Sequence, residues 1–155
     1  MIRYMVGDAT QPDGDGKKII IHIVNNISAW GKGFVLAVSK RWSEPEERYK
    51  KLCKFYQDKC LELLGHVQFV YINQDLIIGN MFAQNGIISQ KNPHQLDYVA
   101  LEQCLIKVKG FAKKYGCEVV GCRFGSGLAG GSWTEIEKII LSIMPDVDVT
   151  IYDLK

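Results

Sequence analysis

The sequence predicts a three-layer α/β domain built on a mixed sheet. Three observations carry this. Apolar runs with strand character alternate with stretches whose apolar residues recur at helical spacing. Two of the strand-like runs are separated only by Asn73-Gln74-Asp75, as in a hairpin, which breaks strict parallelism. The 155 residues, 47% of them hydrophobic, suit one compact core, and no repeat, low-complexity tract or Pro/Gly-rich linker divides the chain. A chain of this size buries about 70% of the surface it exposes when unfolded.

Ile2 to Val6 reads as a short strand, and the polar stretch QPDGDGKK (11–18) as a turn leading into the apolar run Ile19 to Val24, a strand buried on both faces. After Gly33, the residues Phe34, Val35, Val38 and Trp42 recur at helical spacing, so a helix opens directly after a Gly-containing loop. Ser43 reads as the N-cap of a second helix, with Glu46 as its capping-box partner. Tyr49, Leu52, Cys53, Tyr56, Cys60 and Leu63 continue that helix on one face. Val67 to Ile72 and Leu76 to Ala83 form the hairpin-like pair, with Asn80 a polar exception. From Leu96 to Tyr115, the stripe Leu101, Leu105, Val108, Ala112 and Tyr115 predicts a long helix that stops at the C-cap glycine Gly116. Glu118 to Cys122 is a short strand. Ser132-Trp133-Thr134-Glu135 is a second capping box, opening a helix marked by Ile136, Ile139, Ile140 and Ile143; Pro145 ends it, and Val147 to Tyr152 is the last strand.

Composition narrows the function. Nineteen Lys and Arg against seventeen Asp and Glu give a net charge of +2 with interleaved signs, so neither nucleic acid nor a membrane surface is the expected partner. The longest apolar run is interrupted by His22 and falls far short of the ~20 residues that span a bilayer. The first residues lack a basic region followed by an apolar segment, so a cytoplasmic location is expected. Five cysteines with no C-x-x-C spacing read as reduced thiols. Three scattered histidines without H-E-x-x-H predict no metal site, and no cofactor and a monomer are expected.

Two stretches share one design: a strand, a loop of Gly and small polar residues, then a helix start. The first is IIIHIV with NNISAWGKG; the second is EVVGC with RFGSGLAGG. Free backbone N–H groups and the positive end of a helix dipole suit each loop to an anion, and two such loops suit a diphosphate. A tight strand-to-helix turn also uses Gly for conformation alone. Gly125-Ser126-Gly127-Leu128-Ala129-Gly130 matches the G-x-G-x-x-G pattern, but that fingerprint belongs to the first βα turn of a dinucleotide-binding fold, and only one helix and one strand follow here. No Walker A motif exists.

Several side chains carry two readings. His22 is either a neutral core histidine or a proton donor or acceptor beside the first loop. Asn25 and Asn26 lie just past the strand, where an amide orients a sugar hydroxyl or serves the turn. Trp30, among small loop residues, is a lid over the core or an exposed stacking surface, the second being favoured. Trp133 reads as core or hydrophobic staple, and Asp8 as a turn residue or an acceptor for an exocyclic amine.

Together, Val6-Gly7-Asp8-Ala9, the stretch HIVNNISAWGKGFVLAVSKRWSEPEERY (22–49), GNMFAQ (79–84) and GSGLAGGSW (125–133) resemble the macro domain family, whose members bind ADP-ribose. The likeness is greatest to the bacterial and phage branch that processes ADP-ribose-1''-phosphate and to the yeast phosphatase of that compound. The resemblance implies a six-stranded mixed sheet, ADP-ribose or a terminal-ribose derivative as the ligand, and hydrolysis of ADP-ribose-1''-phosphate. The alternatives are a non-catalytic ADP-ribose reader and a deacylase of O-acetyl-ADP-ribose. By position, Asp8 and Ala9 meet the adenine, and Asn25 lies near the distal ribose. Ser28, Ala29, Trp30, Gly31, Lys32 and Gly33 embrace the diphosphate with the 125–130 loop, and His22 stands where turnover is implicated. Branches that release ADP-ribose from protein carboxylates carry an acid in the first loop, or a strand Lys with an Asp after Gly-x-Gly-Leu. The first loop here has no acid, 76–83 has no Lys, and Ala129 follows Leu128.

Overall fold

A computed structural model describes residues 1–154 apart from 88, 94 and 128. Six strands form one sheet: β1 (Ile2–Val6), β2 (Lys18–Asn25), β3 (Val67–Asn73), β4 (Leu76–Gln84), β5 (Glu118–Gly121) and β6 (Val149–Asp153), in the order β1-β6-β5-β2-β4-β3. All neighbours are parallel except β3 and β4, the hairpin pair. Four helices cover the sheet: α1 (Phe34–Arg41), α2 (Glu44–Phe55), α3 (Tyr98–Tyr115) and α4 (Trp133–Ile143). The fold is the three-layer α/β/α arrangement with a six-stranded mixed sheet.

Alternation along β2 sorts the core into two halves. Ile19 and Ile21 pack with Leu101, Leu105 and Val108 of α3 and Ile136 and Ile140 of α4. Ile20 and Val24 pack with Val35 and Val38 of α1 and Tyr49 and Cys53 of α2. A central strand with helices on both faces has no solvated side, which is why its sequence is aliphatic at every position from Ile19 to Val24 except His22. His22 falls on the α1/α2 face by the same alternation. On α3, Leu101, Leu105 and Val108 are fully buried, each worth about 1.5–3 kcal/mol of apolar burial. That helix starts where the Asp97 carboxylate accepts from the Ala100 N–H at 3.0 Å and ends at Gly116 with φ 66° and ψ 43°, a left-handed cap.

Three details depart from the sequence reading. The second helix stops at Phe55, and Cys60–Leu63 form a separate 3₁₀ turn. A continuous helix would carry Leu63 about 21 Å along the axis from Tyr49; the break returns it to the half of the core that holds Tyr49, Val70 and Phe82. Neither capping box closes through its serine. Ser43 has helical φ/ψ and Ser132 extended φ/ψ, and neither side chain makes a cap hydrogen bond. Ser132 is instead fixed through its backbone, whose N–H donates to the Tyr98 hydroxyl at 2.8 Å. Among the described residues no helix is long and apolar enough to cross a membrane, and all five cysteines are unpaired.

Candidate functional site

The two glycine loops leave the carboxyl ends of neighbouring parallel strands, β2 and β5. After β2 the chain crosses to β3 and β4 on one side; after β5 it crosses to β6 on the other. The gap between these strands is therefore the topological switch point at which open α/β sheets bind ligands. Along this edge lie, in order, Asp8 after β1, Asp153 closing β6, the loop after β5 and the loop after β2. They span three strand spacings, roughly 14 Å.

Asn25 builds the first loop. Its Oδ1 accepts from the N–H groups of Ile27 and Ala29, each at 3.1 Å, and its Nδ2 donates to the Ala29 carbonyl at 2.7 Å. These bonds bracket Ser28, which has φ 65°, a strained value for a residue with a side chain. The buried Tyr49 hydroxyl lies 2.6 Å from the same Oδ1 and 2.9 Å from the Asn25 carbonyl oxygen. Burial and the neighbouring Cys53 push the Tyr49 pKa up, so the hydroxyl keeps its proton as a donor. Asn25 thus works as the loop's internal staple. Asn26 does likewise across the edge: its Nδ2 donates to Asn85 Oδ1 at 3.1 Å and its Oδ1 accepts from the Gly86 N–H at 2.9 Å. Beyond them Ser28, Gly31, Lys32 and Gly33 are exposed. Gly33, with φ 84° and ψ −150°, holds the N-cap position of α1. Among the described residues, the backbone N–H groups of Gly31, Lys32 and Gly33 find no protein acceptor.

Trp30 is buried rather than exposed. It keeps 6% of its surface, and its ring meets Tyr49 at 5.2 Å and stands edge-on to His22 at 5.4 Å. The lid reading describes this conformation: a large aromatic on the α1/α2 face gains more by capping the core than by standing in water.

In the second loop, Gly125 has φ 79°, and a Cβ there would lie 2.9 Å from Ile23 Cδ1, so the position requires glycine. The loop is held by Gly130 N–H to Gly127 O at 3.0 Å, by Ser126 Oγ to Arg123 O at 2.7 Å, and by Leu96 N–H to the carbonyl of the buried Ala129 at 3.0 Å. Leu128 lies outside the described residues. Gly31 and Gly127 differ from their neighbours: each has an ordinary φ, and a Cβ on either would meet nothing within 4 Å. Neither backbone strain nor packing explains glycine there.

His22 is 1% exposed, with Phe34 beside Trp30 against its ring, and burial lowers its pKa from 6.5 to about 4. The ring is neutral at pH 7 and resists protonation, so it offers a lone pair for a hydrogen bond and is not poised to donate a proton to a leaving group. Its Nε2 lies 2.6 Å from Asn80 Oδ1. At the other end of the edge, Asp8 Oδ1 accepts from the Thr10 N–H at 2.8 Å and hydroxyl at 2.7 Å, while Oδ2 lies 3.5 Å from Arg41 Nη2. The Thr10 bonds hold its carboxyl below the usual range, so Oδ2 stays an anionic acceptor; Ala9 behind it is buried. Trp133 is half-buried, edge-on to Phe124 at 5.6 Å, with its Nε1 donating to the Tyr4 hydroxyl at 2.8 Å.

Sequence reasoning missed Tyr49, Asn80 and Arg123 as parts of the site. Arg123 pairs with Asp153 at 2.7 and 3.0 Å and lies over the Tyr4 ring at 4.8 Å, bracing the second loop against β1 and β6. Asn80 was the legible one, since two polar residues on buried strands, His22 and Asn80, call for each other.

A three-layer sheet domain whose switch point carries two glycine loops, each running into a helix start, is an anion-binding α/β domain. No protein-family model matches the chain. A solved Bacteroides thetaiotaomicron protein of unknown function is 44% identical, with a TM-score of 0.91 over 99% of this chain and 98% of that one. A macrodomain protein from Streptomyces coelicolor is 36% identical, with a TM-score of 0.85 over 99% of both. The ADP-ribose 1''-phosphate phosphatase of Candida glabrata is 28% identical over 89% of this chain and 90% of its own. The chain belongs to the macro domain family.

Proposed function

We propose that this protein binds ADP-ribose along the carboxyl edge of the sheet and hydrolyses the terminal phosphate of ADP-ribose 1''-phosphate. The observation that carries the reading is the pair of glycine loops at the β2/β5 switch point, with Gly31 and Gly127 open to a ligand. Backbone N–H groups of the first loop and the starts of α1 and α4 receive the diphosphate. The adenine amine donates to Asp8 Oδ2, and the terminal ribose lies beside the Asn25 loop. The phosphatase named for the Candida relative supplies the reaction.

In that reaction water attacks phosphorus, the bond between phosphorus and the 1'' oxygen breaks, and the water's proton leaves with the sugar oxygen. ADP-ribose and inorganic phosphate result. The loop N–H groups offset charge that develops on the phosphoryl oxygens. His22, neutral and covered by Trp30, positions a hydroxyl or water through its lone pair; protonation of the leaving oxygen falls to solvent. The same burial of His22 favours a second reading, a module that holds ADP-ribose without turnover.

A phosphorus NMR time course with ADP-ribose 1''-phosphate separates the two. Catalytic decay of the monoester signal into free phosphate is the expected result. Shifted pyrophosphate signals with a persistent monoester would transfer the assignment to the binding module, and unperturbed spectra would remove ADP-ribose as the ligand.

A further inference from the structure

The polar groups beneath the first glycine loop fix one another's hydrogens. Gln68 Nε2 donates to the Arg48 carbonyl at 3.0 Å, which turns its Oε1 toward Asn80. Asn80 Nδ2 donates to that Oε1 at 3.3 Å and to the Pro45 carbonyl at 3.2 Å. Reversing the Asn80 amide would set its oxygen against two acceptors, so Oδ1 faces His22. The proton of the neutral ring therefore sits on Nε2, donated to Oδ1 at 2.6 Å, and Nδ1 carries a bare lone pair.

Among the described residues that lone pair has no partner, and neither has the indole N–H of Trp30, although both are buried. The two rings are in edge contact, with centroids 5.4 Å apart and planes at 86°. The acceptor and the donor do not bond to each other, and one group that both donates and accepts satisfies both. A hydroxyl does so, donating to Nδ1 and accepting from Nε1. A carboxylate or phosphate oxygen would face the lone pair of Nδ1 with its own.

We propose that His22 Nδ1 and Trp30 Nε1 form a hydroxyl-recognition subsite under the first glycine loop, with Asn80 as the positioning residue that sets its polarity. The occupant is a hydroxyl of the terminal ribose, and that assignment rests on the ADP-ribose reading above. Trp30 tilts outward as the sugar enters, so the residue that lids the free protein becomes a donor to the bound one. The arrangement distinguishes ADP-ribose from ADP, which presents the same diphosphate without the second sugar.

Nitrogen-15 NMR of the free protein reads the tautomer of His22 directly. Protonated Nε2 with unprotonated Nδ1 is expected, and loss of that preference in Asn80→Ala; a proton on Nδ1 in the free protein overturns the proposal. Titration with ADP-ribose should shift the His22 Nδ1 and Trp30 indole signals, and titration with ADP should leave them in place. Trp30→Phe, which keeps an aromatic ring and loses the donor, should weaken ADP-ribose binding about tenfold more than it weakens ADP binding. Equal responses to the two nucleotides would overturn the ribose as occupant in favour of a bound water. A wild-type protein that binds neither nucleotide would refute the ADP-ribose reading and the ribose with it, while the tautomer of the free protein still reports on the Asn80 lock by itself.

Discussion

Acid should destabilise this protein through His22. The ring is 1% exposed and sits among Trp30, Phe34 and Asn80, and burial brings its pKa from 6.5 to about 4. The sign follows from proton binding: between pH 6.5 and about 4 the unfolded chain takes up a proton that the folded one refuses. The contribution is whole above pH 6.5 and is lost as the pH falls toward 4. At ~1.4 kcal/mol for each pH unit, with the last part of the window only partly used, the loss by pH 4 is about 3 kcal/mol. Against the 5–15 kcal/mol typical of folded domains, that is a large share. Urea unfolding at pH 7, 5.5 and 4 measures it, with His22→Gln as the non-titrating reference. The wild type should lose about 3 kcal/mol more than the variant across the series. Parallel pH dependence of the two proteins, or a His22 that titrates near 6.5 by NMR, would refute the argument and reopen proton donation by this ring.

Gly127→Ala should leave the unfolding free energy within about 0.5 kcal/mol of wild type, since its Cβ meets nothing within 4 Å, yet weaken ADP-ribose binding at least tenfold by calorimetry. Gly125→Ala, whose Cβ would stand 2.9 Å from Ile23 Cδ1 at φ 79°, should cost ~1–3 kcal/mol of stability; an unchanged urea midpoint would show that the loop relaxes freely. Tyr49→Phe removes a buried donor held by Asn25 at 2.6 Å. It should cost about 1–3 kcal/mol and speed amide exchange at Ile27 and Ala29, whereas native exchange there would mean that Asn25 holds the loop without Tyr49. Asp97→Ala should destabilise by ~1 kcal/mol through the start of α3, read as a lower thermal midpoint with no effect on ligand affinity.

The sequence by itself determined the elements and the positions of the two glycine loops, because periodicity and capping residues are properties of neighbours along the chain. The aliphatic run of β2 declared a strand covered on both sides, the α3 stripe declared a face, and Gly116 and Pro145 declared ends. Where the local signal failed, a competing tertiary demand had won: the apolar stripe of the second helix continued to Leu63, but the core needed Leu63 folded back. What only the tertiary structure decided was adjacency. Nothing in the order of the chain sets β5 beside β2, and that pairing alone makes two separate loops into one cleft. His22 and Asn80 lie 58 positions apart and Asn25 and Tyr49 lie 24 apart, so the bonds that fix a tautomer and clamp a loop leave no periodic trace. Trp30 shows the limit most plainly. Local context favoured an exposed ring in a glycine loop, and the free energy of covering His22 and Tyr49, a property of the folded sheet face, overrode it.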